Sequence, residues 1–427
     1  MKIKTITFLT LLFLLLTSVG YSQTEVHIDT LFRQAQKHYP LWKQKQLIIQ
    51  EAALNKKNLR SNYKPQINLV GQATYQTDVT AIELNIPNAN LDLPELPYDQ
   101  YKLNVELNQI IYDGGLTKSK IELATLQGES ELAKNDTELY KLYTQISDLF
   151  FRYLLLEKSK ASLNASQQLL SGNIKTLTSA VMEGVGNRND LDNLKAENIN
   201  IDAKLLEIEY ARTAIVQSIN ILTGTKLPAD FIFVLPVYDL QKEDKYKRPE
   251  FTMLGIQQDL LQAQSGILDR MRMPKVFAFS HLGYGKPGLN MFASDFDTYA
   301  ILGIGLNWNI YDWGNTKRNR SLLDIRHQTI NLQNDILTQN IDLATTQTNS
   351  DLKKTRELIE KEKEILNIRE RVVERTSNQL KNGTITSNQY LDDLNKLTLS
   401  NIRLTKLEMQ HRQQMVNYKI QTGEILK

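Results

Sequence analysis

Residues Tyr101-Lys102-Leu103-Asn104-Val105-Glu106-Leu107-Asn108 alternate apolar and polar side chains without a break. A period of two belongs to a β-strand with one apolar and one polar face. The same pattern runs upstream, where Ile67, Leu69, Ala73 and Tyr75 alternate with Gln66, Asn68, Gln72, Thr74 and Gln76. Each strand is expected to span about 10 residues, the length that crosses a bilayer at a tilt of about 45°. Lys102 and Glu106 put charges on the polar side, which a water-filled lumen accepts.

The chain repeats these strands. Pro40 matches Pro249, Pro65 matches Pro274 and Tyr75 matches Tyr284, each pair 209 residues apart. Further on, Tyr112-Asp113-Gly114-Gly115 matches Tyr311-Asp312-Trp313-Gly314, Gly184 matches Gly383, and Thr223-Gly224 matches Thr422-Gly423, all 199 apart. The ten-residue difference falls between Tyr75 and Tyr112, where a loop absorbs it. The apolar parity survives both shifts. Val276, Ala278, Leu282 and Tyr284 stand at the positions of the first strand, and Leu302, Ile304 and Leu306 at those of the second. A one-residue slip would exchange the faces, so one face was held apolar in both copies. Four strands cannot close a membrane barrel, whose smallest forms have about 8. Several subunits must share one.

Between the strands lie long helices. Each unit opens with a helical stretch, such as Ile28 to Arg60, ahead of a proline. From Lys118 to about Met182 there is no proline and there are only two glycines, and Leu139, Leu142, Tyr143, Ile146, Leu149, Phe150, Tyr153 and Leu154 form a helical stripe. About 65 residues at 1.5 Å each give a rod of roughly 100 Å. The stretch from Lys317 to Asn382 has neither proline nor glycine. Gly184 and Gly383 stop these helices, and a shorter helix returns from each to Gly224 or Gly423. The expected organisation is a signal peptide over 1–22, a first repeat over 23–224, a linker over 225–245 and a second repeat over 246–427. Strands are expected at about 66–76, 101–111, 275–284 and 300–310, with long helices at about 117–183 and 317–382.

Met1-Lys2-Ile3-Lys4 followed by an apolar run from Ile6 to Leu16, with Gly20 and Ser22 before Gln23, reads as a secretory signal. Its removal leaves 49 basic and 48 acidic residues, a balance that gives no sign of nucleic-acid binding. The sequence has no cysteine, so disulfides, a thiolate nucleophile and lipidation through an N-terminal Cys are excluded. Beyond the signal no run approaches 18 apolar residues, so a crossing would need strands in a closed barrel.

Enzyme chemistry finds no support. Gly283-Tyr284-Gly285-Lys286-Pro287-Gly288 fits a dinucleotide fingerprint, but it sits at a strand end rather than opening a helix. The five histidines, His27, His38, His281, His327 and His411, lack metal-binding spacing. Asp392 and Asp393 are neighbours on a helix and point apart. The acidic, proline-containing segment from Thr77 to Gln100 reads as a solvated loop. No cofactor is expected.

The duplicated Tyr-Asp-Gly-Gly and Tyr-Asp-Trp-Gly turns, the stretch Gly383-Thr384-Ile385-Thr386 leading to Leu391-Asp392, and its sister from Gly184 to Asp190-Leu191-Asp192-Asn193-Leu194 resemble the TolC-like outer-membrane efflux protein family. The likeness covers nearly all of the mature chain. It implies an α+β membrane protein with an internal two-fold repeat. Three copies would share a 12-stranded β-barrel in the outer membrane, and coiled helical hairpins would form an α-barrel across the periplasm. The resemblance further implies a passive exit duct, with a periplasmic adaptor and an inner-membrane transporter as partners, serving a tripartite efflux pump or type I secretion. The hairpin tips at Gly184 and Gly383 would meet the adaptor. The family's constriction ring falls on Gln389 and Asp392, with Asp393 adjacent, and its tip latch on Asp190. The family partners of that aspartate fall on Leu380 and Ile385, which leaves Lys381 or Arg188 as expected substitutes. Asp113, Gly115, Asp312 and Gly314 would form the strand-to-helix turns. The competing reading is a secreted or periplasmic adhesive coiled-coil protein, which accounts for the rods and the signal but not for the strands.

Overall fold

The computed structural model describes residues 24–79, 96–238, 246–290 and 293–426. The expected signal, most of the acidic loop with Glu83, Asp92 and Glu95, and the end of the linker lie outside these residues. The chain divides into two compact units that cut across the repeats: one gathers 1–43, 136–249 and 338–427, the other 44–135 and 250–337. Among the described residues no helix is long and apolar enough to cross a membrane.

The first unit is helical. Strands β1 (Thr24–His27) and β4 (Phe231–Val234) pair in parallel, so the expected linker contains a packed strand with Phe233 buried. Helix α1 (Ile28–His38) buries Ile28, Leu31, Phe32 and Ala35, the spacing of one helical face. The expected single helix from Ile28 to Arg60 is two: Tyr39 leaves the helical region at φ −59°, ψ 139°, as a residue before proline must, and α2 (Pro40–Arg60) begins afresh. Helices α3 (Leu116–Met182) and α4 (Arg188–Thr223) form one hairpin. In this unit Tyr143 packs edge-on to Phe32 at 4.8 Å, and Phe150 and Tyr153 close on Phe233.

Helix α5 (Pro249–Met271) belongs from Glu250 onward to the other unit, while α6 (Asn315–Lys381) and α7 (Ser387–Thr422) make the second hairpin. Both α3 and α6 have 67 residues, about 100 Å each. A second core in the first unit places Leu163 and Leu170, Leu194 and Ile201, and Val373 and Leu380 at seven-residue intervals around Tyr390 and Leu394, the spacing that interdigitates side chains of supercoiled helices. The returning helices end on Gly224 and Gly423, both left-handed at φ +67° and +87°.

The second unit holds an antiparallel sheet of β2 (Gln66–Tyr75), β3 (Asp99–Tyr112), β5 (Lys275–Lys286) and β6 (Asp297–Asn307), in that order. Its register decides the faces. Ile67 lies opposite Leu107, Leu69 opposite Val105, Leu103 opposite Tyr284, Val105 opposite Leu282, Ala278 opposite Ile304 and Val276 opposite Leu306. Opposed residues share a face, so the apolar sets of all four strands join in one band. Beyond Ile110 the β3–β5 register shifts, with Tyr112 opposite Val276, which leaves Ile111 as a bulge.

Candidate functional site

The sheet is the first element of the site. Its apolar face stands uncovered: Leu302 is 77 % exposed and Ile304 74 %, and Ile67, Leu69, Leu103, Leu282 and Leu306 are also exposed. Each such side chain forgoes about 1.5–3 kcal/mol relative to burial, so this face calls for an apolar environment. The reverse face is polar in the first repeat, with Asn68, Gln72, Lys102, Asn104 and Glu106. In the second repeat it departs from the expected pattern. Phe279 lies over Gly303 and Phe277 over Gly305, and a Cβ at either glycine would collide with the ring. Tyr299 of β6 donates to Asn104 Oδ1 of β3, reaching over Gly283 of the strand between them.

Aromatic rings gather at both ends of the strands. At the loop end Phe296 packs against Tyr101 at 5.9 Å and Tyr284 at 5.4 Å, while Tyr75 stacks on Tyr98. At the helix end Tyr311 meets the exposed Trp313 edge-on at 4.9 Å.

The two strand-to-helix turns have one geometry. Asp113 Oδ1 accepts from Gly115 N–H at 2.9 Å and Oδ2 from Thr117 N–H at 2.7 Å. Asp312 repeats this with Gly314 at 3.0 Å and Thr316 at 2.9 Å. Each carboxylate thereby satisfies N–H groups that a helix start leaves orphaned. Burial alone would raise the pKa of Asp113, but the bonds from Thr117, Gly115 and Tyr63 outweigh it and hold the carboxyl below its ordinary value. Asp312 is also held low, chiefly by its bonds from Thr316 and then Gly314. The residue after the aspartate is left-handed in both copies, Gly114 at φ +68° and Trp313 at φ +55°. Trp313 thus adopts the backbone that glycine takes at the matching position of the first copy.

The hairpin tips are the third element. Gly184 and Gly383 are left-handed at φ +78° and +68°, with open space around each. Val185 N–H donates to Ala180 O and Thr384 N–H to Gln379 O, both at 3.0 Å, closing each helix end in the same way. Asp190 meets neither expected substitute: among the described residues it forms no ion pair with Lys381 or Arg188. Instead its Oδ1 accepts from Ser387 N–H at 2.9 Å and Ser387 Oγ at 2.6 Å. Thr386 caps α7 with no side-chain bond, so a carboxylate from α4 supplies the cap. Asn193 Nδ2 adds bonds to Ser387 Oγ at 3.3 Å and Asn388 Oδ1 at 3.2 Å. Ser387 and Asn388 escaped the sequence reading because nothing local marks a partner 197 residues away.

Gln389 is exposed at this tip. Asp392 is exposed and paired with Lys396 at 2.5 Å, one helical turn on. Asp393 is half-buried and lines a groove of about 330 Å³ with Ile365, Ile368, Arg369 and Val372. The tip thus brings Asp190 to the start of α7, while Asp392 and Asp393 diverge along it.

Comparison with solved structures finds the same fold in bacterial outer-membrane proteins. The outer-membrane protein VceC from Vibrio cholerae matches at TM-score 0.65 and 14 % identity, covering 93 % of this chain and 96 % of that one. CusC, whose structures concern folding and transmembrane channel formation, matches at TM-score 0.70 and 13 % identity over 92 % and 91 % of the two chains. The open state of the Neisseria gonorrhoeae MtrE outer-membrane channel matches at 0.66 and 14 % over 93 % and 88 %. No protein-family model and no curated protein sequence matches the chain.

Proposed function

We propose that this chain, whose fold is that of the TolC-like outer-membrane channels, is one subunit of a homotrimeric channel that gives passive exit through the outer membrane. The observation that carries the reading is the sheet. Four strands of 10 to 14 residues present one continuous exposed apolar face, and strands β2 and β6 each leave one edge unpaired. Exposed apolar faces and open strand edges are liabilities in water. In lipid the apolar face is required and the edges must be closed. Closure by three copies gives 12 strands, an even number in the observed range for membrane barrels. The aromatic rings at the two strand ends suit the two membrane–water interfaces. A secreted adhesive rod has no use for such a sheet.

Within this reading Asp190, Gln389, Asp392 and Asp393 form the periplasmic constriction, and the tips at Gly184 and Gly383 receive a periplasmic adaptor. An inner-membrane transporter, of a tripartite efflux pump or a type I secretion system, supplies the energy. A ring of carboxylates in a narrow pore favours cations, and the Lys396 ammonium beside Asp392 weakens that preference. Planar-bilayer recording of the purified oligomer tests the reading. Discrete, weakly cation-selective conductance steps are expected; a protein that inserts without conducting would remove the channel function.

A further inference from the structure

The two hairpins of the sheet obey one register. Shifted by 209 residues on the first strand and 199 on the second, Ile67 opposite Leu107 becomes Val276 opposite Leu306, and Ala73 opposite Tyr101 becomes Leu282 opposite Ala300. Both derived pairs are present. The sheet is therefore repeated in its hydrogen-bond geometry as well as in its sequence. It contains one seam between hairpins, β3 with β5, where Leu103 faces Tyr284, Val105 faces Leu282, Leu107 faces Ser280 and Gln109 faces Ala278.

Applying the same shifts to that seam converts β3 into β6 and β5 into β2. We propose that β6 of one copy pairs antiparallel with β2 of the next, with Leu302 opposite Tyr75, Ile304 opposite Ala73, Leu306 opposite Gly71 and Trp308 opposite Leu69. This rests on the shared-barrel reading above and adds the register to it. Each derived pair falls on the apolar face, so the band continues across the subunit boundary. A slip of one residue would set Leu302 against a polar-face position and is excluded.

The lengths of the strands carry the same inference independently. Strand β3 runs to Tyr112, past the last residue that β2 reaches, because Gln109, Ile110 and Tyr112 are held by β5. Strand β6 stops at Asn307, opposite the first residue of β5, although Tyr311 is the counterpart of Tyr112. What β6 lacks is the outer neighbour that β3 has. In the derived register, Leu69 and Ile67 of the next copy lie opposite Trp308 and Tyr311 and supply it, with Ile310 bulged as Ile111 is, so assembly lengthens β6 to Tyr311.

The sequence contains no cysteine, so disulfide scanning of the full mature chain has no background. A slip of two residues keeps the faces and displaces the partner by about 6.6 Å along the strand, beyond what a disulfide bridges without backbone movement. Ala73→Cys with Ile304→Cys is expected to give a covalent trimer ladder on oxidation in isolated outer membranes. The ladder should be lost when Ile304→Cys is replaced by Leu302→Cys or Leu306→Cys. Gly71→Cys with Leu306→Cys provides a second opposed pair should the first not fold. Linking in a slipped pair, or in neither opposed pair, by protein that remains trimeric before oxidation overturns the register and leaves the channel reading standing. Monomeric protein before oxidation overturns both.

Discussion

Asp113, Asp312 and Asp190 each set a carboxylate on the backbone N–H groups of a helix start. Replacing Asp113 by Ala removes acceptors at a buried turn and is expected to cost about 1 kcal/mol, the usual worth of a helix cap, read as earlier heat dissociation of the detergent-solubilised oligomer. Because the folded pKa of Asp113 and Asp312 lies below the ordinary value, their stabilisation is complete above the unfolded pKa of about 3.9 and is lost as pH falls through the depressed folded value. Stability should therefore drop below about pH 4, and Asp113→Asn should shrink that drop; an unchanged acid profile would show that the turn does not contribute. In the proposed gate, Asp190 holds the tip closed. Under the proposed gate, Asp190→Ala frees the start of α7 and raises single-channel conductance, whereas Asp192→Ala, at the exposed next-but-one residue, leaves it as in the wild type. Equal conductance in both variants would remove Asp190 from the gate.

At the scale of elements, two glycines with similar backbones separate strain from crowding. Gly383 is left-handed with nothing near its missing Cβ, whereas a Cβ on Gly423 would collide with the backbone of Lys247 and Arg248. Gly383→Ala should cost about 1–2 kcal/mol of backbone strain, and Gly423→Ala clearly more, on the same heat-dissociation assay; equal losses would contradict the close approach. On the strands, Ile304→Arg puts a charge on the face assigned to lipid and should cost about 2–4 kcal/mol at the bilayer midplane, seen as loss of protein from the outer-membrane fraction. Full membrane assembly of that variant would refute the face assignment. Elements of this kind were legible because they obey a period: two for the strands, three to four for the stripe from Leu139 to Leu154, and a glycine at each helix stop. The break at Tyr39 was signalled by Pro40 but merged into one helix. Strand β4 was hidden inside a segment between the repeats. Phe277 and Phe279 disguised the reverse face because their large rings cover glycines on the adjoining strand, a cross-strand fit that no single-strand pattern displays. The partner of Asp190 was out of reach for a similar reason, since Ser387 meets it through folding of two distant hairpins.

For the whole molecule, one duplicated unit of about 200 residues explains both the hairpin geometry and the incompleteness of the single chain. Each repeat contributes two strands and a hairpin with a long and a shorter helix, and in the proposed trimer the seam that joins two repeats within a chain serves again between chains. The four-stranded sheet is one third of that proposed barrel, in which the open edges of β2 and β6 meet. Whether three chains share one barrel is decided by the detergent-corrected mass of the mature protein extracted from purified outer membranes, measured by light scattering. A shared barrel requires a particle of about three chains. A monomer, or protein recovered in solution without detergent, would contradict it.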